Sequence, residues 1–294
     1  MTTPSIHPDT HVSRSLARTL RVLAVAALSA CTTTVEPSDT PVDQTDTTDR
    51  PAPPTEATAP ERATEVVEFG AGDRTVVFES GFGNDWSSWK PVADEVASDA
   101  RVFAYSRPGY GRSDPSPDPR DAAHIVDDLR RLLQTRGYAP PYVLVGHSFG
   151  GTYMELFAKA HPEDVAGLVL VDPRHRDFTA ACEEQGLEGC TIPAAVVASL
   201  PPVQIAEYQA FASTSDEIQA AGGFGSYPVR VLTATAHGFV PEVEALWESL
   251  LGSLADEAQN GEQMVFSGAS HSLHIERPHE VAEVIRNLVS EPGI

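Results

Sequence analysis

Ser148 has the surroundings of a nucleophile. It stands in Gly146-His147-Ser148-Phe149-Gly150-Gly151, with glycines two positions before and two after it. A serine hydroxyl attacks a carbonyl only when a base takes its proton and a third group orients that base. The base is expected downstream at His271, in Ser270-His271-Ser272-Leu273-His274, with His274 as its rival. His147 adjoins the serine, and its side chain is expected to point away from the substrate side. The acid is expected at Asp172, after Leu168-Val169-Leu170-Val171, with Asp177 and Glu242 as alternatives. An aspartate that merely caps the turn Asp172-Pro173-Arg174 is the competing reading. The order serine, acid, histidine is the one that accompanies a serine on a sharp strand-to-helix turn. An oxyanion also needs N–H donors. Phe149 offers one, and Phe82, in Glu79-Ser80-Gly81-Phe82-Gly83-Asn84, is placed to offer the second.

These residues need a scaffold that brings them to one edge. Tyr142-Val143-Leu144-Val145 reads as a strand just before the serine turn, and Tyr153, Met154, Leu156 and Phe157 have helical spacing just after it. Similar apolar runs lie at 75–78, 101–105, 167–171 and 229–232, with a weaker one at 263–266 and an outer strand at 64–69. Near-continuous β-branched runs suit a parallel sheet buried on both faces. Helical periodicity falls between them, at Ala122, Ile125, Val126, Leu129, Leu132 and Leu133, and again from Val281 to Val289 behind Pro278. Alternating strands and helices predict an α/β fold with a mostly parallel sheet and helices on both faces. Residues from about 174 to 227 break the alternation and read as a mostly helical lid over the strand ends. Apolar lid residues such as Ile192, Val196 and Phe211 serve packing or substrate contact.

The N-terminus carries different information. Arg14, Arg18 and Arg21 precede a short apolar run that ends in Leu28-Ser29-Ala30-Cys31. The run is too short to span a bilayer and reads as an export signal over residues 1–30. Its end resembles the lipobox of bacterial lipoproteins, which implies cleavage before Cys31 and lipid attachment there. An ordinary secretory signal that happens to contain a cysteine is the alternative. Residues 31–63, rich in Thr, Pro, Asp and Glu, read as an extended tether. The folded domain is expected over 64–294, anchored to the bacterial cell envelope outside the cytoplasm. In an oxidising compartment Cys182 and Cys190 are placed to form a disulfide, with two free thiols as the alternative. The formal net charge of −22 disfavours nucleic acid as a partner.

Five segments, in order, together resemble the α/β-hydrolase superfamily, in its group of serine esterases, lipases and peptidase-like enzymes. They are Glu79 to Gly83, Tyr105 to Ser113, Gly146 to Gly151, Gly167 to Pro173 and Ser270 to Pro278. The resemblance implies an α/β-hydrolase fold with Ser148, Asp172 and His271 as the catalytic triad and Phe82 and Phe149 as the oxyanion hole. It implies hydrolysis of a small ester-like substrate, with no metal or organic cofactor. Amide, thioester or carbon–carbon cleavage would use the same machinery, and a surface lipoprotein that keeps the scaffold for binding is the reading from another class. Two positions depart from the pattern. Ser80-Gly81 stands where many relatives have His-Gly, and Ser106 where many have aspartate.

Overall fold

The computed structural model describes residues 62–291. The expected export signal, Cys31 and nearly all of the expected tether therefore lie outside the described residues. Among the described residues, no helix is long and apolar enough to cross a membrane.

Among the described residues, seven strands form one sheet: β1 (Val66–Gly70), β2 (Thr75–Glu79), β3 (Arg101–Tyr105), β4 (Tyr142–His147), β5 (Val165–Val171), β6 (Val229–Ala234) and β7 (Gly261–Phe266). Their spatial order is β1-β3-β2-β4-β5-β6-β7. The outer strand β1 pairs antiparallel to β3, and every other pairing is parallel. Every residue of the central strands β2, β4 and β5 is buried, as apolar runs covered on both faces require.

Alternate side chains feed two cores. Val77, Leu144, Leu168 and Leu170 point to one face, while Val76, Phe78, Val143, Val145 and Val169 point to the other. The second core is covered by α1 (Lys90–Val96) and, at the far end of the chain, α10 (Pro278–Ser290). The first is covered by α2 (Ala122–Thr135), α3 (Phe149–Ala160) and, after β6, α8 (Pro241–Asp256). The sequence reading singled out neither α1 nor α8.

Between β5 and β6, residues 174–227 form four short helices: α4 (Phe178–Glu184), α5 (Ala194–Val197), α6 (Pro202–Ala210) and α7 (Thr214–Ala221). A disulfide joins Cys182 in α4 to Cys190 in the loop beyond it. A buried ionic knot ties this region to the sheet. Glu207 of α6 accepts from Arg107, beyond β3, and from Arg120, and Arg107 also pairs with Glu79 at the end of β2. The short helix α9 (Leu273–Glu276) precedes α10.

Candidate active site

Ser148 lies between β4 and α3, with φ 53° and ψ −123°. A non-glycine residue held there is strained, and the neighbouring glycines show what imposes it. A Cβ on Gly146 would fall 2.4 Å from the Gly150 carbonyl oxygen, and one on Gly150 would fall 2.4 Å from that of Glu79. Strand, turn and helix pass too close for any side chain. The Ser148 hydroxyl is thereby held at the carboxyl end of the sheet.

His271 arrives on the loop between β7 and α9, and its Nε2 lies 3.0 Å from Ser148 Oγ. Its Nδ1 lies 2.6 Å from Asp172 Oδ2. Asp172 follows β5 with φ 45°, a second strained position on the same edge. Its N–H donates to the Leu232 carbonyl in β6, and its Oδ1 accepts from the Ala234 N–H and from Trp247 Nε1, each at 3.0 Å. Burial pushes the Asp172 carboxyl up, but hydrogen bonds from two histidines and their charge outweigh it and hold the group at about 2.

The second histidine, His237, has no place in the sequence reading. It follows β6 and donates from Nε2 to Asp172 Oδ2 at 2.7 Å. Its Nδ1 lies 2.5 Å from Glu244 Oε1 in α8. Burial lowers the His237 pKa, but the carboxylates on either side outweigh burial and raise it above its ordinary 6.5. A ring flanked by acceptors on both nitrogens is held as an imidazolium. Glu244 then restores a net negative charge beneath His271. The available signal was spacing: His237 sits just after the β6 strand and Glu244 seven residues on.

The rival residues lie elsewhere. His274 is fully buried, its ring tilted against those of Trp89 and His147 with centroids 4.6 and 4.2 Å away, and burial pulls its pKa down to about 3. Asp177 accepts from Ser215 at 2.5 Å. Glu242 lies in the first turn of α8. His147 is also buried; its Nε2 lies 2.8 Å from the His271 carbonyl oxygen, so it braces the loop that carries the base. Burial drives its pKa well down, leaving it a neutral donor.

Phe82 and Phe149 line the same cavity as Ser148. Phe149 opens α3, where the first N–H groups have no acceptor within the helix. The Phe82 and Phe149 rings are 5.1 Å apart, and a Cβ on Gly81 would lie 3.2 Å from Ser148 Cβ. Arg107 holds this loop from behind by donating to the carbonyls of Ser80 and Gly81.

Ser148 and His271 open into a cavity of about 550 Å³ whose walls include Phe82, Phe178, Tyr208 and Trp247. Among the described residues, Asp172, His237 and His271 are the group spaced to hold a metal, with ligand atoms within 4.8 Å of one another. Here the two N–H groups that donate to Asp172 Oδ2 take the directions an ion would need, so the arrangement is that of a proton-linked chain.

The family described as alpha/beta hydrolase fold matches residues 74–187. The uncharacterised protein YqjL of Bacillus subtilis (strain 168) is 28% identical over 224 residues, which is 72% of this chain and 82% of that protein. Other curated relatives match over 92 to 109 residues and only 15% to 38% of their own length. Among solved structures, a thermophilic esterase from Thermogutta terrifontis is similar with a TM-score of 0.54 and 22% identity, over 77% of this chain and 97% of that one. An epoxide hydrolase from Vigna radiata is similar with a TM-score of 0.59 and 17% identity, over 78% and 97%. The chain has the α/β-hydrolase fold, and its residues 74–187 match the family of that description.

Proposed function

We propose that this chain is a serine hydrolase that cleaves carboxylic esters by acyl transfer to water. The observation that carries the reading is the unbroken hydrogen-bond chain from Ser148 Oγ through both nitrogens of His271 to Asp172. Ser148 Oγ attacks the ester carbonyl carbon as its proton passes to His271 Nε2. Asp172 supports the imidazolium that forms. The carbonyl π electrons move onto oxygen, where the Phe82 and Phe149 N–H groups receive the charge. Collapse breaks the bond to the alkoxy oxygen, which leaves as an alcohol with the proton from His271. Water, deprotonated by His271, then attacks the acyl-serine and releases the carboxylic acid.

A serine at the turn, with its hydroxyl in reach of His271, speaks for acyl-enzyme chemistry. Ester cleavage is favoured over amide cleavage because the alkoxide is the easier leaving group. The test is hydrolysis of p-nitrophenyl esters from acetate to long acyl chains, beside labelling by a fluorophosphonate probe. Ser148→Ala should abolish labelling and lower kcat by about 10⁴-fold or more. Labelling without ester turnover would move the substrate to amides, thioesters or carbon–carbon bonds. A folded protein that does neither would be a binding module.

Residues 1–31 support a location as well. We read them as an export signal followed by a lipid-bearing Cys31, which places the domain at the cell envelope. Incorporation of labelled palmitate into the wild type and not into Cys31→Ala checks this.

A further inference from the structure

Arg174 is partly buried and stands apart from the other arginines that the fold covers. Arg107 lies between Glu79 and Glu207, Arg120 against Glu207, and Arg176 against Glu155 and Glu257. Arg174 meets no carboxylate among the described residues. Its Nη2 donates to Thr179 Oγ1 at 2.6 Å and to the Cys190 carbonyl at 3.1 Å, both neutral acceptors. The guanidinium carbon sits 4.4 Å from the centre of the Phe178 ring. A guanidinium has five N–H donors, and those on Nε and Nη1 have no acceptor among the described residues. Neither nitrogen is among the sealed polar atoms, and the side chain lines the same cavity as Ser148 and His271. Among the described residues, no aspartate or glutamate lines that cavity.

An unpaired charge is costly even where it is only partly buried. Burial pulls the Arg174 pKa down to about 10, whereas carboxylates raise those of Arg107 and Arg176. It therefore remains a cation at neutral pH. Its backbone is anchored as well: the Arg174 N–H donates to the Ser148 carbonyl at 3.0 Å, so the cation is registered to the nucleophile.

Resting on the ester-hydrolase reading, we propose that Arg174 recognises a carboxylate on the substrate, so that the natural ester is one whose acyl or alcohol part ends in an acid. The free N–H donors of Arg174 take the carboxylate while the scissile carbonyl lies on Ser148. Phe178 supports one face of the guanidinium and leaves its edge to the ligand. The aromatic walls accommodate the carbon chain between the two groups.

The test compares kcat/KM of the full-length protein on p-nitrophenyl butyrate and on the mono-p-nitrophenyl ester of glutaric acid. The wild type should favour the acidic ester by about tenfold or more, the gain expected of a charge-assisted hydrogen bond. Arg174→Gln should bring the ratio close to one, and Arg174→Lys should keep part of the preference. If Arg174 only ties the Cys190 loop down, both rates fall together, the ratio stays, and the proposal is overturned. A wild type that cleaves both esters equally also overturns it, while leaving the hydrolase reading intact. Calorimetry with glutarate on Ser148→Ala separates the two ideas. If neither ester turns over, glutarate binding that Arg174→Gln weakens about tenfold still upholds the anion site, and absence of binding removes it.

Discussion

Asp172 serves two histidines, and the second alters how its charge is used. His237 and Glu244 add a cation and an anion behind the triad acid, so the net charge facing His271 stays at minus one. Removing His237 leaves His271 as the remaining donor to Asp172 Oδ2 and holds the carboxylate less firmly in place. His237→Gln should therefore lower kcat by about 10–100-fold with KM little changed, since misplacement of the base acts on the chemical step. The pH dependence of stability follows from the same pair. The His237 pKa is raised in the fold, so its contribution is complete below about 6.5 and is lost as pH rises through the higher folded value. The Asp172 pKa is lowered to about 2, so its contribution is complete above about 3.8 and is lost as pH falls towards 2. Urea midpoints measured across pH should show a plateau between these limits. In His237→Gln the alkaline decline should flatten.

At the scale of elements, α6 is tied down by charge more than by apolar contact. Glu207 is its one buried side chain, and two arginines converge on it. Losing one partner of a buried ion pair strands the other, so Glu207→Gln should cost about 3–5 kcal/mol in urea unfolding. Activity should fall too, because Arg107 also holds the Ser80 and Gly81 carbonyls behind the oxyanion loop. The disulfide closes a short loop between α4 and the cavity wall. Replacing Cys182 and Cys190 with serine should lower stability by about 2–3 kcal/mol. Because Cys190 lines the cavity, the same variant should raise KM, measured on the preferred ester.

Across the whole molecule the formal charge is −22, and the acidic excess repels itself in the compact state. Raising salt from about 0.01 to about 1 M shortens the screening length roughly tenfold. The thermal midpoint should therefore rise with sodium chloride. The buried knot around Arg107 should be screened far less than the surface pairs. A fall in the midpoint would show that surface ion pairs such as Lys90–Asp94 matter more than the overall repulsion. The two-faced sheet lets this acidic chain place a cation at its cavity: the central strands are buried on both faces, and the catalytic groups and Arg174 collect at one edge.

The sequence by itself determined the strands of the sheet, the serine turn and its glycines, because these depend on local pattern. β-branched runs, helical spacing and the need for small residues at a tight crossing are all written within a few positions of each other. Asp172 and His271 were legible only as strand-end residues in the right order. That Asp172, and not Asp177 or Glu242, reaches His271 was decided by the tertiary structure, where β5 lies beside β4 and the 45° φ of Asp172 turns its carboxylate towards that loop. His237, Glu244 and the isolation of Arg174 were decided at the same level. A residue's charge is local, but whether a partner meets it depends on which elements pack around it, and segments sixty or more residues apart share this edge only once the sheet has formed.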